Sequence, residues 1–182
     1  MKITSTSLPE VLLLEPTVHG DDRGFFLESW NERSFAALGI KADFVQDNHS
    51  FSRRGILRGL HSQLNCPQGK LVWVIEGEIL DVAVDLRRSS PTFGQWTSMR
   101  LSGTNFLRAW IPPGFAHGFY VQSEKVHFCY KCTDYYSPEN EQVIVWNDPD
   151  LAIDWQIPSG ATPMLSSRDM TGRRFCDAAY YP

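Results

Sequence analysis

Apolar residues along this chain recur in short runs at alternating positions, the period of a strand that packs one face against a core. The clearest run is Ile79-Leu80-Asp81-Val82-Ala83-Val84-Asp85-Leu86, in which Leu80, Val82, Val84 and Leu86 point one way and Asp81 and Asp85 the other. Comparable runs predict strands over 11–14, 24–28, 70–76, 96–101, 106–111, 118–122, 126–136 and 142–146, separated by turn formers such as Ser89-Ser90-Pro91 and Pro112-Pro113-Gly114. Only 31–39 has helical spacing, with Phe35 and Leu38 on one face and Gly39 suited to closing the C-terminus. Many short strands predict an all-β antiparallel sandwich or barrel, and the lack of strand–helix alternation argues against a Rossmann-type sheet. With no internal repeat or low-complexity stretch, residues 1–182 read as one domain whose tail, after about Asp154, packs as loops or a short helix.

Composition adds two constraints. Aromatic residues make up 13%, more than a core of this size needs, so some rings are available for an interface or a flat ligand. The net charge is −4 with no block of like charges, which argues against nonspecific nucleic-acid binding; any phosphate must be held by a few placed cations. No stretch approaches the ~18 apolar residues of a membrane helix, and the start lacks the pattern of a signal peptide, so the expectation is a cytoplasmic protein with no membrane partner. The Cys129-Tyr-Lys-Cys132 spacing lies in a strand-like run where residues three apart face opposite ways, which predicts ordinary buried thiols rather than a redox or zinc pair.

Two polar clusters stand out. The first comprises Gln46-Asp47-Asn48-His49-Ser50, Leu57-Arg58-Gly59-Leu60-His61-Ser62-Gln63 and Gln68-Gly69-Lys70. In a regular strand Arg58 and His61 would face oppositely, and they converge only if Gly59 permits a bulge or twist. The second, 111–119, is stiff at Pro112 and Pro113 and permissive at Gly114 and Gly118, a turn able to aim His117 from an apolar wall. Taken alone, a strand histidine is more often structural than catalytic, and His117 serves equally well as a partner for backbone groups.

Together the clusters resemble the two signature motifs of the cupin superfamily of jelly rolls. The second matches as Pro112-x-Gly114-x-x-His117, but the first has His61-Ser62-Gln63 and then Lys70 where metal-binding members carry His-x-His and an acidic ligand. An ammonium cannot replace a carboxylate ligand, so a metal-free site is expected. The closer resemblance is to the dTDP-4-dehydrorhamnose 3,5-epimerase family. It rests on 21–28, 46–50, 57–63, 68–72, Asp81-Val82-Ala83-Val84-Asp85, Ser90-Pro91-Thr92-Phe93-Gly94, 111–119, Tyr130-Lys131, Tyr135-Tyr136-Ser137-Pro138, Trp146-Asn147-Asp148-Pro149 and Ser166-x-x-Asp169, all in one order.

The resemblance implies a cupin-type antiparallel jelly roll with short flanking helices. It also implies epimerisation, without a cofactor, at C3 and C5 of dTDP-4-dehydro-6-deoxyglucose, both carbons being alpha to the C4 ketone. By the same resemblance His61 is the base, Asp169 its carboxylate partner, Lys70 the cation at the developing enolate oxygen and Tyr130 the acid on the far face, its pKa expected to be lowered by neighbouring cations. Arg58 shares the role of Lys70 or binds substrate oxygens. Arg23, His117 and Arg168 match phosphate or nucleotide contacts, Glu28 and Glu141 acceptors, Gln46, Asp47 and Asn48 polar substrate contacts, and Tyr136 the ring that stacks on thymine. Members are homodimers with an exchanged N-terminal segment, so Arg23 and Glu28 are expected to serve the partner's site. Ser62 stands where an aromatic residue is usual and Trp73 where a basic or small one is common. Both are expected to reshape the sugar pocket, which leaves open a single-carbon epimerase. A metal-dependent cupin enzyme and a non-catalytic sugar-nucleotide-binding module are the readings from other classes.

Overall fold

The computed structural model describes residues 1–182. Strands β1 (Lys2–Ser5), β2 (Leu12–Glu15), β10 (Arg108–Ile111), β7 (Lys70–Glu76), β12 (Lys125–Cys132) and β5 (Gln46–Arg53) form one antiparallel sheet in that order. Facing it is a five-stranded sheet in the order β13 (Glu141–Val143), β6 (Leu57–Gln63), β11 (Phe115–Val121), β8 (Glu78–Asp85) and β9 (Trp96–Ser102). A hairpin of β3 (Val18–Asp21) and β4 (Gly24–Leu27) stands apart, and the α-helices are short: α1 (Glu32–Ala37) and α2 (Ser167–Met170). This is the expected all-β jelly roll, a cupin-type sandwich with flanking helices.

Three apolar layers hold it together. Between the sheets, Val72 and Val74 of β7, Ile79 of β8, Phe119 and Val121 of β11 and Phe128 of β12 pack into the main core. Outside the five-stranded sheet, Leu80, Val82 and Val84 are covered by Leu151, Trp155 and Ala178 of the C-terminal segment. Outside the six-stranded sheet, Phe35 of α1 and Ile40 pack on Leu14 and Leu71. Each such side chain contributes roughly 1.5–3 kcal/mol of burial free energy.

This layering gives the alternation of β8 its meaning. The Leu80 face lies under the tail and the Asp81 face looks into the sandwich, so both aspartates are fully buried. A buried carboxylate needs partners, and Asp85 has them in Arg87, Ser90 and Thr92.

Several boundaries move from the sequence expectation. The run expected over 126–136 leaves its sheet after Cys132, where Thr133 Oγ1 accepts from the Gly69 amide and the Asp134 carbonyl accepts from Gln68. Tyr135 and Tyr136 therefore sit in a loop. Strand β11 starts at Phe115, three residues before the expected 118–122 run, so His117 is on a strand rather than a turn. The polar stretch beginning at Gln46 is a full eight-residue strand that apolar periodicity does not reveal. The helix agrees with expectation: the Asn31 side chain caps its start, accepting from Arg33 and Ser34, and Gly39 follows its end at φ +87°.

Candidate active site

A cavity of about 350 Å³ opens between the two sheets at one end of the sandwich. Its floor is Phe119, Phe128 and His117, beyond which the main apolar core begins. Strand parity decides which side chains reach it. On β5, Gln46, Asn48 and Ser50 line the cavity. Asp47 turns outward, where it accepts from Lys131 at 2.8 Å. On β12 the same rule selects Phe128, Tyr130 and Cys132 and turns Cys129 away; all four cysteines are free thiols.

Strand β6 breaks the parity rule, and the break builds the site. Gly59 has φ +110°, and the register with β11 slips between the pairs His61–His117 and Arg58–Phe119. Through this bulge Leu57 and Leu60 both enter the outer core while Arg58 and His61 both face the cavity. A Cβ on Gly59 would come within 2.6 Å of Gly118 Cα, so only glycine permits the close approach of the two strands.

Behind His61, its Nε2 lies 2.5 Å from Asp169 Oδ1. Asp169 is 3% exposed, and its second oxygen accepts from the Ser166 hydroxyl at 2.7 Å. Burial works to raise this carboxyl, but the bonds from His61 and Ser166 outweigh it and hold Asp169 below the usual carboxylate range. A carboxylate at Nε2 fixes a proton there, leaving Nδ1 as the basic nitrogen.

Across the cavity stand Lys70 and Tyr130 of the opposite sheet. Burial pushes the Lys70 ammonium below its ordinary value, against the pull of Cys132, Glu141 and Asp81. For Tyr130 the expected lowering is corrected: burial pushes the phenol up, Cys132 adds to that, and Arg58 opposes only in part. The phenol is thus protonated at neutral pH, as an acid must be. Arg58 is steadied by Ser52 Oγ, which accepts from its Nε at 3.1 Å.

At the mouth, Tyr136, Glu141 and Arg168 form a triangle. The Tyr136 hydroxyl accepts from Arg168 Nη1 at 2.9 Å and donates to Glu141 Oε2 at 3.2 Å, while Arg168 also pairs with Glu141. At the floor, His117 donates from Nε2 to Asp81 Oδ2 at 2.8 Å.

Of the expected site residues, Gln46, Asn48, Arg58, His61, Lys70, His117, Tyr130, Tyr136, Glu141 and Arg168 line the cavity, and Asp169 backs it. Three do not join them. Asp47 points away; Arg23 is exposed and paired with Asp21; Glu28 accepts from Asn31 and Ser34 near α1. Trp73 is also corrected, because it lies on the outer face of the six-stranded sheet beneath Arg108, whose guanidinium carbon is 4.9 Å from its ring centroid. It adds no bulk to the pocket. Ser62 borders the cavity, but its side chain follows Leu60 to the outer face of the sheet, where its hydroxyl accepts from Gln142 at 3.0 Å and Gln142 in turn donates to the Ala179 carbonyl of the tail. Residues that stand in the sequence motifs without an expected role are Ser50, whose parity with Gln46 and Asn48 was the available signal, Asp81, which holds His117, and Ser166, which caps the helix and bonds Asp169. No group of three or more His, Cys, Asp or Glu side chains is arranged so that it could hold a metal ion.

Residues 5–177 match the dTDP-4-dehydrorhamnose 3,5-epimerase family. The chain is 57% identical, over 100% of both sequences, to the enzyme of that name from Pseudomonas aeruginosa. It is 50% identical to the Shigella flexneri one over 100% of this chain and 99% of that one. Among solved structures, dTDP-6-deoxy-D-glucose-3,5-epimerase from Legionella pneumophila, in complex with dTDP-4-keto-L-rhamnose, superposes with a TM-score of 0.94 at 51% identity, covering 98% of this chain and 94% of that one. Likeness of this extent accompanies a cavity that places a His–Asp pair and a phenol on facing sheets, and the chain belongs to the dTDP-4-dehydrorhamnose 3,5-epimerase family.

Proposed function

We propose that the protein is a cytoplasmic isomerase that converts dTDP-4-dehydro-6-deoxy-D-glucose to dTDP-4-dehydro-L-rhamnose by inverting C3 and C5, without a metal or other cofactor, in the synthesis of dTDP-L-rhamnose. One observation carries this reading: a base, His61 with Asp169, and an acid, Tyr130, stand on opposite sheets across one cavity. Inversion at a carbon alpha to a ketone needs a proton removed from one face and another delivered to the opposite face.

His61 Nδ1 takes the proton, and Asp169 stabilises the imidazolium that results. The electron pair moves onto the C4 oxygen, where Lys70 and Arg58 meet the negative charge. Tyr130 returns a proton from the other side. Tyr136, Arg168 and Glu141 at the mouth, His117 at the floor and Gln46 and Asn48 on the wall supply an aromatic face, cations and acceptors for a nucleoside diphosphate. Asp47 enters this reading through its main chain, since its side chain faces out.

The domain, 1–182, works as a homodimer in which the N-terminal hairpin serves the partner. Supporting this, Phe25 and Phe26 on the hairpin are 62% and 70% exposed, and Phe51 and Ile75 stand bare on the outer six-stranded sheet. Arg23 and Glu28 lie outside their own chain's cavity, as residues of a shared site would. No helix is long and apolar enough to cross a membrane.

The test is incubation with dTDP-4-dehydro-6-deoxyglucose in deuterated water, following C3 and C5 by NMR. Deuterium entering both carbons with inversion is expected; exchange at neither overturns the reading. Epimerisation of one carbon is the second reading, and exchange at that carbon alone would select it.

A further inference from the structure

The loop that carries Tyr136 begins at Thr133, where β12 leaves the six-stranded sheet, and crosses to the five-stranded sheet, which the chain rejoins at Glu141 of β13. Backbone groups outside a ladder must find partners elsewhere, and here three glutamine side chains supply them residue by residue. Gln68 Nε2 donates to the Asp134 carbonyl at 2.8 Å, and Gln46 Oε1 of β5 accepts from the Tyr136 amide at 2.9 Å. Gln63 of β6 takes the positions on either side of that ring: its Nε2 donates to the Tyr135 carbonyl at 3.1 Å and its Oε1 accepts from the Ser137 amide at 2.9 Å. The same Nε2 also donates to the Cys66 carbonyl at 2.9 Å.

Gln63 is 4% exposed and shares the parity of His61, so its side chain points between the sheets and borders the cavity. A carboxamide offers two donors and an acceptor at one side-chain end, and Gln63 uses all of them on main-chain groups. None of its bonds goes to His61, Lys70, Tyr130 or Asp169. Tyr136 is otherwise lightly held: it is 45% exposed, and its hydroxyl meets only Arg168 and Glu141 at the mouth. We propose that Gln63 is a positioning residue for nucleotide recognition: by clamping the main chain on both sides of Tyr136, it fixes that ring at the mouth before the substrate arrives. The inference rests on the epimerase reading above, in which Tyr136 receives the thymine. A ring already fixed has less freedom to lose on binding, so the clamp strengthens binding without touching the ligand. The proton-transfer groups depend on other bonds, His61 on Asp169 and Arg58 on Ser52, so loss of the clamp acts on KM and spares kcat.

The test is a double-mutant cycle read by calorimetric binding of dTDP. Gln63→Met keeps the length of the side chain and removes its three bonds. The Kd for dTDP is expected to rise about tenfold, as in Tyr136→Ala, and the double variant to lie within about threefold of the weaker single one, because either change alone already removes the fixed ring. Inorganic pyrophosphate, which has no base, is expected to bind Gln63→Met within about twofold of wild type, and kcat to change less than about threefold. A merely structural role would weaken both ligands, lower kcat and add to Tyr136→Ala, for a loss of roughly a hundredfold in the double variant; that result overturns the proposal. Circular dichroism and thermal unfolding check that the variants fold. Gln63→Glu, which keeps the acceptor for Ser137 and loses both donors, is expected to give the same pattern should the Met variant fail to fold.

The ring itself is read by 19F NMR of protein labelled with fluorotyrosine, the Tyr136 line being assigned with Tyr136→Phe. A single sharp line is expected in wild type without ligand and a broadened or shifted one in either Gln63 variant. A Tyr136 line that the Gln63 variants leave unchanged overturns the proposal and leaves the epimerase reading intact. A wild type that binds dTDP but exchanges no deuterium overturns the epimerase activity instead, and the binding cycle still decides whether Gln63 acts through Tyr136. A wild type that binds no dTDP overturns the recognition role of Tyr136 and the proposal with it.

Discussion

His61 on β6 and Asp169 on α2 are 108 positions apart in the chain and 2.5 Å apart in the structure. The C-terminal segment brings them together as it crosses the outer face of the five-stranded sheet. The Leu57 amide donates to the Met164 carbonyl, and the Ser166 cap then turns the chain so that Asp169 meets the imidazole. The tail is therefore both a cover for the outer core and the carrier of half the base.

Asp169→Asn is expected to lower kcat about 10²–10⁴-fold with little change in KM. The amide would donate to His61 Nε2, driving the ring proton to Nδ1, where the substrate proton must go. Deuterium wash-in at C3 and C5 checks this, and a rate within threefold of wild type would show that Asp169 does not set the tautomer.

Tyr130→Phe separates the two halves of the reaction. Removing only the hydroxyl leaves His61, Lys70 and Arg58 to form and hold the enolate, so deuterium exchange should persist while inverted product falls about a hundredfold. Equal loss of exchange and product would place Tyr130 in proton removal or in binding rather than in proton delivery.

The mouth triangle predicts a binding phenotype. Tyr136→Ala removes the stacking ring and should raise KM about tenfold, while Tyr136→Phe, which loses only the bonds to Arg168 and Glu141, should raise it less. Steady-state kinetics with the nucleotide sugar decide; a fall in kcat at constant KM would contradict a recognition role.

Much of this was legible in the sequence because strand parity is a local property. The alternation of β8, the helix over 31–39 and the opposed faces of Cys129 and Cys132 follow from spacing alone, and parity also explains why Asp47 parts from Gln46 and Asn48. What sequence could not supply was the number of covered faces. Asp81 reads as the polar side of a half-exposed strand until a second sheet closes over it. Trp73 stands three positions after Lys70 and seems close to the pocket by number, yet that odd offset turns it to the opposite face. The Tyr130 pKa departs from the sequence expectation for the same reason: counting nearby cations omits burial, which outweighs Arg58.

Acid should loosen the fold through Asp85. Burial works to raise this carboxyl, but donors from Arg87, Ser90 and Thr92 hold it at about 2. A group whose pKa is depressed on folding stabilises the protein above its unfolded value, near 4, and loses that contribution as pH falls toward 2. The loss is about 2.5 kcal/mol from this group. Urea unfolding of wild type between pH 6 and 3 should show a decline that is shallower in Asp85→Asn, which starts from a lower stability at pH 6; parallel curves would deny Asp85 the role.

Gly59 is where fold and chemistry depend on one backbone conformation. At φ +110° an alanine is strained, and its Cβ would lie 2.6 Å from both Gly118 Cα and the His117 carbonyl, backbone atoms that cannot swing aside. Gly59→Ala must force β6 from β11 or flatten the bulge, and flattening it returns Arg58 and His61 to opposite faces. Stability should fall by about 3 kcal/mol or more, a drop in Tm of roughly 6–12 °C for a chain of this size. Activity should fall further than the folded fraction accounts for, since the surviving folded molecules have a displaced base. Gly160→Ala is the control: its φ is +80° but nothing lies within 4 Å of the added carbon, so it should cost about 1 kcal/mol and leave the rate per folded molecule unchanged. If Gly59→Ala behaved like Gly160→Ala, the bulge would not be what brings Arg58 and His61 to one cavity.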